Sequence, residues 1–153
     1  GQAQIDWLIS ALKDSKASFK LVMLGSQFLN PLEVYENAAN YPNERDYILE
    51  QLEKEQIKNV IFLTGDRHHS EISKLELDNG ITVYDITASP LTSRAHKAVK
   101  EENPIRIDGS LIKERNFTKL TVSGEFRKRT IAVQYFSSDG ALIFEHKINQ
   151  QEK

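Results

Sequence analysis

The sequence predicts an α/β fold that passes into an antiparallel β-meander. Three observations point there. Over residues 1–64, two amphipathic stretches alternate with two short apolar runs. That order, helix–strand–loop–helix–strand, gives parallel strands in a layered domain. Beyond residue 70, apolar residues alternate with polar ones, the period of half-buried strands. Asp78-Asn79-Gly80 and Asp139-Gly140 separate such stretches and carry tight-turn residues.

The elements follow in order. Residues 4–15 form a helix pattern, with Ile5, Leu8, Ile9 and Leu12 at helical spacing and Trp7 and Ala11 widening the stripe. Phe19 to Leu24 suits a buried strand. Residues 25–43 hold Gly25, Asn30, Pro31, Asn37, Asn40, Pro42 and Asn43, which is loop chemistry in an unusually long connection. Asn43 is placed to cap a second helix over 44–55, with Ile48, Leu49 and Leu52 facing in. Asn59 to Thr64 is the strongest buried-strand pattern in the chain. Ile72 to Leu77 and Ile81 to Ala88 form a hairpin, and residues 92–114 are polar loop or irregular helix. Phe117 to Val122, Ile131 to Tyr135 and Leu142 to Phe144 complete the meander.

Composition narrows the function. The 153 residues are 39% hydrophobic and 27% charged, enough for one domain with its own core and against wholesale disorder. Twenty basic residues against 22 acidic leave a formal charge of −2, with no global pull toward nucleic acid or an anionic membrane. With no cysteine, disulfides, thiolate metal sites and cysteine nucleophiles are excluded. No apolar run approaches the roughly 18 residues of a transmembrane helix.

Chemistry concentrates in Thr64-Gly65-Asp66-Arg67-His68-His69-Ser70-Glu71, directly after the strongest strand. Ligands bind at the carboxyl ends of strands in α/β sheets. Oxygen and imidazole donors suit a hard or borderline divalent or trivalent metal, and Arg67 suits a phosphate or carboxylate. Gly65 is placed to let the backbone turn as it leaves the strand. On an extended segment Asp66 and His68 share one face, and His69 and Glu71 point the other way. One pair can bind a metal while the other supports it. Polar loops with paired histidines also occur with no ligand at all. Gln27 either lines the site through its carbonyl or bonds the adjacent loop. Arg127-Lys128-Arg129 reads as a solvated edge, since no aromatic cluster accompanies it. His96 and His146 are isolated, and Trp7 and most of the Phe residues read as core.

Gly65-Asp66-Arg67-His68 resembles the last metal-binding motif of the calcineurin-like metallophosphoesterases, usually G-H-x-H, in its alkaline phosphatase D (PhoD-like) variant. Gln4-Ile5-Asp6-Trp7-Leu8 through Ser15-Lys16-Ala17-Ser18-Phe19-Lys20 is similar to the family's helix–strand unit. Glu44-Arg45 with Ile48-Leu49 resembles the helix before the motif strand Val60-Ile61-Phe62-Leu63-Thr64. Tyr84-Asp85-Ile86-Thr87-Ala88-Ser89-Pro90-Leu91-Thr92-Ser93 is similar to the following strand and Ser-rich turn. Arg115-Asn116-Phe117 and the Asp139-Gly140 hairpin look like the closing strands.

The resemblance implies the C-terminal half of a four-layer α/β/β/α sandwich, all 153 residues belonging to one catalytic domain. Residues 1–70 would be its α/β portion with the metal motif, and 71–153 mostly antiparallel β. The family's earlier Asp- and Asn-centred signatures are absent, and the chain opens in a helix pattern without Met. The parent would therefore supply the remaining ligands, and the chain alone would be inactive. The implied activity is hydrolysis of phosphomonoesters or phosphodiesters by a metal-bound oxygen nucleophile, with inorganic phosphate as a product. His68 and Asp66 match the metal ligands. Arg67 and His69 are candidates for phosphate contact, leaving-group protonation or support of the ligands. Calcium and iron are the implied metals, with zinc and manganese as alternatives. The implied location is periplasmic or extracellular. An open half-sandwich is expected to self-associate. The competing reading is a non-catalytic β-rich binding or accessory module with a His-rich loop.

Overall fold

The computed structural model describes residues 1–152; Lys153, the last residue of the expected domain, lies outside the described residues. Helix α1 spans Gln2–Asp14, strand β1 Lys20–Met23 and helix α2 Pro42–Lys54. Strands β2 (Val60–Thr64), β3 (Glu71–Glu76) and β4 (Thr82–Thr87) follow. The chain ends in β5 (Asn116–Ser123), β6 (Thr130–Ser137) and β7 (Leu142–Asn149).

One sheet has the order β1-β2-β4-β3, the other β5-β6-β7. Strands β1, β2 and β4 run parallel, and β3 adds to β4 antiparallel through the Asp78-Asn79-Gly80 hairpin. Gly80 sits at φ 81°, the left-handed conformation this turn requires. Because β4 inserts between β2 and β3, the first sheet runs straight across residue 70.

Alternation along the strands splits the core in two. Val22, Val60, Phe62 and Val83 face the helices and pack with Ile5, Ile9, Leu12, Ile48 and Leu52. Ile61, Ile72 and Ile86 face the second sheet and meet Ile131, Val133, Tyr135 and Ile148. The described layers are therefore helices, mixed sheet and antiparallel sheet, the α/β/β part of the expected four-layer sandwich. Among the described residues no helix is long and apolar enough to cross a membrane.

Several expectations are corrected. Trp7 is 68% exposed rather than core. It lies two positions from Ile5, about 200° around the helix, so the inward stripe of Ile5, Ile9 and Leu12 excludes it. Ala11 is exposed for the same reason. Strand β1 is not buried, because it is the sheet edge: Val22 is covered, but Leu21 and Met23 are 46% and 80% exposed. Helix α2 begins at Pro42, not after Asn43; Pro at the first helical position forfeits only an N–H that would lack a helical partner. Residues 25–41 form a loop with one 3-10 turn, Ala38–Asn40, and plug Phe28 and Leu29 into the helix-side core.

Candidate active site

The parallel strands set the site's position. Strands β1, β2 and β4 end at Met23, Thr64 and Thr87, and their following residues stay tied together: Gly65 N–H donates to Gly25 C=O (3.2 Å) and Ala88 N–H to Thr64 C=O (2.9 Å). The Gly65–Ser70 loop thus leaves the middle of the sheet's carboxyl edge, where ligands bind in such folds.

The loop alternates as its spacing predicts. Asp66 is exposed and His68 half-buried, whereas Arg67 and His69 are 4% and 1% exposed. Asp66 and His68 both adopt left-handed backbone, with φ 65° and 56°. Gly65 does not, and a Cβ there would make only ordinary contacts, 3.6 Å or more from its neighbours. The turning residues are thus the two candidate ligands themselves, not the glycine. His68 is held three ways. Its N–H donates to Ser89 Oγ (3.1 Å), its C=O accepts from His96 N–H (2.8 Å), and its Nδ1 lies 2.7 Å from the Arg94 C=O. The His96 ring lies against the His68 ring, centroids 4.8 Å apart.

Beneath the loop lies a buried polar network. Arg67 pairs with Glu101 and donates to Gln27 Oε1 (2.7 Å), and its guanidinium lies 5.1 Å from the Tyr35 ring centre. Gln27 donates from Nε2 to Glu71 Oε1 (2.8 Å) and Thr87 Oγ1 (3.0 Å). It lies four residues past β1 and is 1% exposed; it bonds the surrounding elements instead of lining an open site. Glu71 also accepts from Asn103 Nδ2 (2.9 Å) and Arg106 Nε. Burial pushes the Glu71 carboxyl up, but His69, Asn103 and Arg106 outweigh it and hold the group at about 2. His69 Nε2 sits 3.6 Å from Glu71 and 3.9 Å from Glu101 and makes no hydrogen bond. A cavity of about 250 Å³ opens onto Tyr35, Arg67, His69, His96, Lys100 and Glu101.

Sequence reasoning missed Asp85 and Glu101. Asp85 Oδ2 accepts from Phe28 N–H (2.7 Å) and Leu29 N–H (2.9 Å), and Oδ1 from Thr64 Oγ (2.6 Å). Burial raises its carboxyl to about 6 against the pull of those bonds. Its signal was available: it shares the inward face of β4 with Val83, where an acid needs fixed partners. Glu101, in an irregular polar segment, carried no such signal.

A family model described as PhoD-like phosphatase matches residues 1–135. The chain belongs to the PhoD-like phosphatase family. A solved structure titled "Structure of PhoD" has the same fold, with a TM-score of 0.70 at 18% identity. It covers 100% of this chain, which spans 35% of that one. No curated protein matches the chain. Among the described residues, no three His, Cys, Asp or Glu side chains are grouped so that they could hold a metal ion. In this PhoD-like chain, Asp66 and His68 are one carboxylate and one imidazole, neither buried, two positions apart on one loop.

Proposed function

We propose that this chain contributes Asp66 and His68 to a metal site that hydrolyses phosphoric esters. The supporting observation is the alternation of the 65–71 loop, which leaves these two donors accessible while Arg67 and His69 are buried. When bound, a metal supplies a lowered water pKa and neutralises charge on phosphoryl oxygens. The carboxylate suits calcium and the imidazole suits iron, with zinc and manganese as alternatives. The remaining ligands come from outside these residues, so the chain by itself is nearly inactive. Both phosphomonoesters and phosphodiesters are candidate substrates, and inorganic phosphate is a product of the former. Family membership supports the phosphatase assignment, and a periplasmic or extracellular location is proposed with it.

The inner pair takes different roles. Arg67 already has a carboxylate partner, so it braces the loop and does not wait for phosphate. His69 borders the cavity with an Nε2 that makes no hydrogen bond, and it is the proton-transfer candidate. Chelation followed by metal add-back tests the proposal in the parent protein. Phosphate release should stop and return, and His68→Ala should abolish the recovery. Undiminished turnover by His68→Ala would refute the ligand assignment.

A further inference from the structure

Residues 91–105 contain no helix or strand, and most of them from 91 to 100 are exposed. Such a segment would ordinarily be loosely held, yet it is fastened to the 65–71 loop at successive points. His96 N–H donates to His68 C=O, Arg94 C=O meets His68 Nδ1, and Glu101 pairs with Arg67. On its other side, Arg115 Nε donates to Ser93 C=O (3.0 Å). The Glu101 and Arg67 side chains are 9% and 3% exposed, so this pair is shielded from water and from salt. Arg67 also lies between the two candidate ligands in the chain.

The contact at His68 has a chemical consequence. A carbonyl oxygen can only accept, so the Nδ1 that lies 2.7 Å from it carries the proton. In a neutral imidazole the lone pair is then on Nε2. We propose that residues 91–105 are a positioning strap: the Arg94 carbonyl fixes His68 in its Nδ1–H form, and the Arg67–Glu101 pair holds the strap in place. The identity of the group that Nε2 meets rests on the ligand reading above, but the tautomer does not. Glu101 is thereby a positioning residue, acting on His68 through the strap without touching a ligand.

Two-bond 1H–15N correlation spectra of the histidine-labelled 153-residue chain, at a pH well above the imidazole range and without metal, test this. The wild-type chain should show His68 with a protonated Nδ1 and a bare Nε2. Glu101→Gln should move the signals toward a tautomer average, and Glu101→Asp, which keeps the charge, should restore them at least partly. A protonated Nε2 in the wild-type chain overturns the proposal without needing any variant to fold. So does a folded Glu101→Gln chain with an unchanged tautomer. Titration with Mn2+ adds an independent reading through paramagnetic broadening. Glu101→Gln should weaken Mn2+ binding at His68 by about tenfold or more. A fixed Nδ1–H tautomer, together with undiminished phosphate release by the parent protein carrying His68→Ala, supports the strap and refutes the ligand reading. Broadening with the wrong tautomer does the reverse.

Discussion

Asp66 and His68 hold left-handed backbone without being glycine, which costs roughly 1 kcal/mol or more at each position. Asp tolerates this better than Ala, because its side chain bonds locally. Asp66→Gly should therefore be more stable than Asp66→Ala by about 1 kcal/mol in denaturant titrations. Equal stabilities would mean that the loop does not hold this conformation in solution. Asp85 makes a second residue-scale prediction. Its carboxyl is raised from 3.8 to about 6, so the folded chain keeps a proton that the unfolded chain loses. Stability attributable to Asp85 should fall as pH rises from about 4 to 6, by about 3 kcal/mol in all. Glu71 works oppositely and lower: its contribution is complete above about 4.5 and is lost as pH falls toward 2. Asp85→Asn can keep the two backbone bonds through one oxygen, and it should flatten the slope between pH 4 and 6. An unchanged slope would assign the dependence to another group. At this scale the site was half legible. The outward placement of Asp66 and His68 and the inward placement of His69 and Glu71 follow from a two-residue period. Glu101 and Asn103 could not be found that way, because only the tertiary fold brings them within reach of Arg67 and Glu71.

Tyr135 shows how elements are joined. It is fully buried on β6, and its hydroxyl donates to the Glu71 carbonyl (3.2 Å) and the Thr87 carbonyl (3.0 Å). The antiparallel sheet thus grips the mixed sheet where β3 begins and β4 ends. Tyr135→Phe should cost about 1–2 kcal/mol while preserving the fold, read from the unfolding midpoint. A neutral substitution would show that the bond is not made in solution. Strands were legible wherever alternation was clean, as along Ile131, Val133 and Tyr135. The apolar run of β1 misled, because composition cannot distinguish an edge strand from a central one. Trp7 misled because an apolar residue next to a helical stripe was counted with it, although its angle puts it outside.

Across the whole molecule, two cores share one sheet, and the candidate site lies at that sheet's carboxyl edge. The order of layers was legible because helical and strand periods change at definite positions along the chain. The exposed Leu21 and Met23 on edge strand β1 could be recognised only from the sheet order. They form an apolar margin on the strand that ends the sheet order among the described residues, so the isolated chain should show concentration-dependent association in sedimentation velocity. Replacing both residues with lysine should suppress it, and a wild-type chain that stays monomeric at high concentration would contradict the expectation. At the site, we propose that Asp66 and His68 hold a metal that phosphoester hydrolysis requires. The most direct test is phosphate release from an aryl phosphate ester by the metal-loaded parent protein, compared with its His68→Ala variant. Turnover should be chelator-sensitive and should fall by about 100-fold or more in the variant. Equal turnover by the two proteins, each indifferent to chelator, would contradict it.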